Sequence, residues 1–160
     1  MSDAETIAPL PHRHLLTLRL DVDAAEAVRI GRTPSGTRVI APVNGGSFNG
    51  DRLAGSVLPN GADWVMHRAD GAMLIDVRLV LKAEDGPMIY MSYQGRFIGQ
   101  PDAIARLARG EALSASDYSL AMVAKFECGD ERYAWLNDVI AVGTGIQSGF
   151  DPIYTIYQIG

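Results

Sequence analysis

Asp76 and Arg78 stand two residues apart in the run Leu74-Ile75-Asp76-Val77-Arg78. On a β-strand that spacing puts both side chains on one face. A carboxylate that exchanges a proton, beside a guanidinium that holds an anionic oxygen, suits acid–base chemistry on a small molecule. The opposite face, Met73, Ile75, Val77, Leu79 and Leu81, is apolar throughout. The Asp76–Arg78 face therefore either meets water, where such a pair carries little functional meaning, or lines a polar cavity. Leu74 and Val80 share it, which argues for the cavity.

Asp63-Trp64 follows the turn signal Pro59-Asn60-Gly61 and offers a second carboxylate and an indole able to stack on a flat ligand. The competing reading makes Trp64 core filler and has Asp63 bonding backbone amides in the turn. His67, on the same face as Val65, has the side chain whose ordinary pKa suits proton transfer near neutrality. Tyr90 and Tyr93 fall on opposite faces of one strand, so at most one phenol points inward, and the sequence does not choose. Tyr133, Trp135 and Asn137 share a face if that segment is a strand, giving an aromatic wall with an amide at its end. No compact His/Cys/Asp spacing marks a metal centre, and neither Gly45-Gly46 nor Gly143-Thr144-Gly145 has the spacing of a phosphate loop. These glycines are expected in turns or at close backbone approaches. No metal and no organic cofactor is expected.

The elements that must position these residues are short. Glycines and prolines divide the chain into alternating segments, the pattern of an antiparallel β architecture. Strands are predicted over 14–20, 27–30, 38–43, 51–58, 63–68, 72–82, 88–97, 120–127, 133–143 and 152–158. Two consecutive hairpins, turning at Ala69-Asp70-Gly71 and Glu84-Asp85-Gly86-Pro87, are the firmest local expectation. Between Gly99 and Asp117, Pro101, Asp102 and a closing Gly110 frame one short helix with Ile104, Leu107 and Ala108 on its apolar face. It is expected to plug a barrel end or cover an edge. The fold class is all-β: an antiparallel barrel of about eight to ten strands with one short helix, because closure removes exposed edges. A two-sheet sandwich is the competing architecture. One domain is expected over 1–160, with 1–12 as a loosely attached arm.

The formal net charge is -5, and the only lysines are Lys82 and Lys125. That excludes a phosphate-backbone binder, so nucleic acid is not an expected partner. No segment approaches a membrane span, and the N-terminal run lacks the marks of a secretory signal. With a single cysteine, Cys128, the chain reads as cytoplasmic. Few charges and an apolar fraction of 48% leave room for a homo-oligomer interface.

Dispersed motifs carry a resemblance. Arg38, Pro42-Val43, Gly45-Gly46, Gly50, Leu53-Ala54-Gly55, Val57-Leu58-Pro59 and Gly61-Ala62-Asp63-Trp64 belong to it, as do Asp70-Gly71, Asp76-Val77-Arg78, Asp85-Gly86 and Tyr93. So does the later run from Phe126 through Arg132-Tyr133-Ala134-Trp135-Leu136-Asn137 to Val142-Gly143. Over roughly 14–158 the sequence resembles domain-of-unknown-function family 3237 (uncharacterised protein family 0311). The resemblance implies a small, largely β-barrel protein of a type found in bacteria and fungi, with relatives acting on small cyclic or aromatic substrates. The positions matching its recognisable polar residues are Arg38, Asp63, Trp64, Asp76, Arg78 and Tyr93. Leu120-Ala121-Met122-Val123-Ala124-Lys125 departs from the more polar run of that family, which implies a more apolar pocket here.

The expected function is binding of a small metabolite, with cofactor-independent lyase, isomerase or hydrolase chemistry on a cyclic or aromatic substrate. Asp76 would move the proton, Arg78 would hold negative charge and Trp64 would position the ring, with Asp63 or His67 as second acid–base group. The alternative is a noncatalytic carrier or a structural dimerising barrel.

Overall fold

Period-two alternation dominates the chain, and each alternating run becomes a strand. A computed structural model describes residues 6–160. In order it contains β1 (His12–Val22), β2 (Val28–Thr33), β3 (Gly36–Asn49), β4 (Ala54–Val57), β5 (Gly61–His67) and β6 (Met73–Ala83). There follow β7 (Met88–Gly99), helix α1 (Ala103–Ala108), β8 (Tyr118–Cys128), a 3-10 segment (Glu131–Asp138), β9 (Ala141–Ser148) and β10 (Asp151–Ile159). All pairings are antiparallel. β1 pairs with both β10 and β3, which closes the circuit β1-β10-β9-β8-β7-β6-β5-β3 into an eight-stranded barrel. β2 and β4 are added on β3, with β4 also bridging to β6. Of the arm expected over 1–12, residues 1–5 lie outside the described residues. Residues 6–11 are exposed and without regular structure, and His12 already starts β1.

Both predicted hairpins form. Gly71 N–H donates to the Arg68 carbonyl at 3.0 Å and Gly86 N–H to the Ala83 carbonyl at 2.9 Å. The glycine-rich passage 44–50 behaves differently from a loop: β3 runs through it as far as Asn49. Gly46 sits at φ +146, and a Cβ there would land on the Arg19 carbonyl oxygen of β1. The seam that closes the barrel is thus tight enough to need bare backbone at this point.

The predicted helix forms over α1, with Asp102 as N-cap. Gly110, at φ +79, follows the C-cap; its N–H donates to the Leu107 carbonyl and that of Glu111 to the Arg106 carbonyl, each at 2.9 Å. This pair of hydrogen bonds is how a left-handed glycine ends a helix. Ala103 and Leu107 are buried. Arg106 pairs with Glu111 at 3.1 Å and with Asp117 at 3.6 Å, tying the helix to the segment leading into β8.

One predicted strand is corrected. Residues 131–138 form a 3-10 segment, and the ninth strand begins only at Ala141. Tyr133, Leu136 and Val139 are buried at three-residue intervals, the period of that helix. Its start is capped by Asp130, whose carboxylate accepts from Arg132 N–H at 2.9 Å. Asn137 fixes its end: Oδ1 accepts from Cys128 N–H and Nδ2 donates to the Cys128 carbonyl, both at 2.9 Å. At this end of the barrel Cys128 is buried, with its thiol donating to the Met88 carbonyl at 3.3 Å.

Candidate functional site

Strand parity decides which side chains enter the barrel. On β6 the buried set is Ile75, Val77, Leu79 and Leu81, so Asp76 and Arg78 point outward. This corrects the placement of that pair in a cavity. The two side chains are 3.6 Å apart on the outer wall, 35% and 49% exposed, and a pair so placed contributes little. The wholly apolar face takes the interior because nothing there has to be paid for in lost hydration. Trp64 is also outward, its ring 5.0 Å below the Arg78 guanidinium, and Arg38 Nη1 donates to the Trp64 carbonyl at 2.7 Å. Neither Trp64 nor Arg38 lines the cavity described below. Trp135, stacked 3.5 Å beneath Arg52, and Asn137 sit on the 3-10 segment and do not line it either.

Asp63 belongs to the opposite face. It pairs across the sheet with Ala41 on β3 and Val77 on β6, Val77 pairs with Tyr93 on β7, and Tyr93 with Ala124 on β8. Directly opposed residues in antiparallel strands share a face, so these side chains form one row across the interior. Most are small, and the space they leave is shared by Tyr93 and Asp63. Tyr93 is buried whereas Tyr90 is exposed, which settles their orientation. Tyr154 on β10 meets Tyr93 edge-to-face, ring centroids 5.3 Å apart. Gly145, its partner on β9, leaves room for that ring: a Cβ there would come within 2.9 Å of it.

These groups meet in a cavity of about 220 Å³ at the end of the barrel covered by α1. Tyr93 and Tyr154 are its buried polar lining, Asp63 and His67 are half-buried, Arg29 is exposed and so marks its mouth, and Ile104 and Leu107 of α1 contribute apolar cover. An apolar cavity of about 150 Å³ can hold benzene, so this one has room for a substituted single ring.

Asp63 Oδ1 accepts a hydrogen bond from Asp76 N–H at 3.0 Å. That donor is available because the β5–β6 ladder is interrupted between the pairs Asp63/Val77 and Met66/Leu74. One carboxyl oxygen is anchored; the other has no protein partner. Burial, opposed in part by that hydrogen bond, raises the Asp63 pKa to about 7, with the nearby Asp76 charge adding to the rise and Arg38 countering it. The group keeps some accessible surface, and that surface faces the cavity. Burial also holds the phenols of Tyr93 and Tyr154 above their ordinary range, so both remain neutral donors. His67 is pushed down by burial and then by Arg29, which leaves its imidazole neutral at pH 7. The arrangement is a carboxyl poised to give or take a proton near neutrality, beside two neutral phenols that can orient a ligand oxygen.

The family described as "Protein of unknown function (DUF3237)" matches residues 11–159. The chain belongs to it. The UPF0311 protein of Rhodopseudomonas palustris is 27% identical over 86% of this chain and 88% of its own length. A crystal structure of a β-barrel-like protein from Acinetobacter baumannii is 31% identical, covers 98% of this chain and 99% of its own, and superimposes with a TM-score of 0.83. A crystal structure described as an enzyme from Penicillium herquei shares the fold, with a TM-score of 0.71, 19% identity and coverage of 98% of this chain and 99% of its own.

Of the residues singled out in this DUF3237 sequence, the fold gathers Asp63, Tyr93 and His67. It adds Tyr154, Arg29 and Gln147, which sequence reasoning missed. Tyr154 lies in Pro152-Ile153-Tyr154-Thr155-Ile156-Tyr157, where both faces read as apolar or aromatic. Gln147 fell beyond the strand predicted over 133–143. Its side chain lines the cavity with Oε1 buried and unpartnered. An unsatisfied buried acceptor costs about 1–3 kcal/mol. Gln147→Leu should therefore raise the melting temperature of the free protein, measured by differential scanning calorimetry; an unchanged or lower value would show that the amide is already satisfied.

Proposed function

We propose that this barrel binds a small ring-bearing metabolite in its end cavity and moves a proton at Asp63. The supporting observation is the half-buried carboxyl in the cavity, one oxygen anchored and the other without a protein partner, with its pKa pushed up to about 7. Protonated, Asp63 donates to a ligand oxygen; ionised, it removes a proton from an adjacent carbon or hydroxyl. Asp76 then serves through its backbone N–H and its charge, not as the proton carrier, and Arg78 and Trp64 lie behind the site. The chemistry fits lyase, isomerase or hydrolase reactions on a cyclic or aromatic substrate. A cytoplasmic setting suits the lone thiol, and outward Val123, Ile140 and Ile146 support self-association. Among the described residues no helix is long and apolar enough to cross a membrane.

A panel of single-ring ketones, lactones and phenols, titrated into isotope-labelled protein in D2O, tests this reading. We expect some to shift the signals of Ile75, Val77 and Tyr93 and to turn over or exchange a C–H for deuterium. Asp63→Asn should slow that exchange about 100-fold or more with little change in affinity. Exchange at the wild-type rate in Asp63→Asn, or compounds that all leave the cavity signals unmoved, would defeat the proposal.

A further inference from the structure

We infer that the ligand of this cavity carries a carboxylate, held at the mouth by Arg29. This rests on the reading of the cavity as a ligand site and goes on to give the ligand a polarity. Arg29 is the only lysine or arginine among the described lining residues, and its guanidinium forms no ion pair with any described residue. Of the other arginines, Arg106 faces Glu111 and Asp117, Arg109 faces Glu111 and Arg68 faces Asp70, while Arg38 donates to the Trp64 carbonyl and does not line the cavity. Two acidic residues close in sequence to lining residues are already engaged. Asp23 accepts from the Asn44 amide and Glu26 N–H, and Asp151 from Val22 N–H. What sets Arg29 apart is its place: among the described residues it is the one lysine or arginine that lines the apolar cavity.

The register sets the length of molecule that fits. Arg29 pairs with Val39, and Val39 with Val65, one inward position from Asp63 on β5. Two strand spacings across and one two-residue step along place the backbones of Arg29 and Asp63 roughly 12 Å apart. Both side chains reach toward the space between, which leaves a gap matching a single ring with a short acidic arm. One guanidinium without a second cation suits a monoanionic carboxylate better than a phosphate dianion. An acid bound this way leaves its charge at the wet end and delivers its ring to Asp63, Tyr93 and Tyr154.

Phenylacetate and its neutral isostere 2-phenylacetamide provide the test, with Kd read from chemical-shift titration of wild-type protein and Arg29→Gln. We expect phenylacetate to bind wild type about five- to tenfold more tightly than the amide. In Arg29→Gln that preference should vanish while the affinity for the amide stays the same, and added salt should weaken only the acid. Equal binding of the two in the cavity of wild type overturns the inference and leaves the cavity reading standing. A preference for the acid that survives in Arg29→Gln also overturns it. If neither compound moves the signals of Ile75, Val77 and Tyr93, this inference is overturned, and the panel of ketones, lactones and phenols decides the cavity reading separately.

Discussion

Asp63→Asn should make the protein more stable than wild type at pH 8 and no more stable at pH 4. The ordinary carboxyl value is 3.8 and that of folded Asp63 is about 7. Between those values the native state keeps a proton that the unfolded chain has released, so the Asp63 contribution to stability falls as pH rises. It is fully present below about pH 4, is lost progressively up to about pH 7, and is flat above. The total loss is roughly 4 kcal/mol at most, and less to the extent that water in the cavity solvates the ionised form. Asparagine keeps an oxygen for Asp76 N–H and has no charge to bury, so its stability lacks this slope. Asp70 and Asp130, held down to about 2 by Arg68 and Arg132, act in the opposite sense: their contributions are lost as pH falls through the acid range, and equally in both proteins. The difference between the two urea-unfolding curves, measured across pH 4–8, therefore isolates Asp63. Parallel curves would mean that its pKa is unshifted, and the acid–base proposal would lose its chemical basis.

Gly46→Ala carries the second large effect, on folding alone. The added methyl meets the backbone carbonyl of Arg19, so no side-chain rotation can relieve it, and φ +146 adds strain for any residue with a Cβ. β1 and β3 have to separate at the seam that closes the barrel. A loss of about 3 kcal/mol or more is expected, with faster hydrogen exchange concentrated in 17–22 and 43–49. A loss below about 1 kcal/mol would show that the seam yields easily.

The barrel was legible because its signals are local. Alternation marks the strands, glycine-bearing turns mark the two hairpins, and Gly110 marks the end of α1. The site was only partly legible because it depends on register. Asp63 and Tyr93 stood out as residue types, yet nothing in the sequence says that Val77 pairs with both, or that Ala41 and Ala124 continue the row and leave space. Asp76 and Arg78 misled because Leu74 and Val80 gave their face an apolar character. The parity rule was right, but the inside went to the face with no polar group to desolvate. Tyr133, Trp135 and Asn137 satisfy alternation by accident. The true signal there is the three-residue spacing of Tyr133, Leu136 and Val139, which becomes visible once the run is extended past Asn137.

Cys128 gives the protein a built-in clock. As the sole thiol, buried and bonded to the Met88 carbonyl at the end remote from the cavity, it meets a thiol reagent only when that end opens. Its labelling rate relative to a free thiol reports the opening free energy under native conditions, without denaturant. Measured with and without a cavity ligand, that rate distinguishes two kinds of breathing. Protection by the ligand means that the barrel opens as one unit; an unchanged rate means that its two ends open separately.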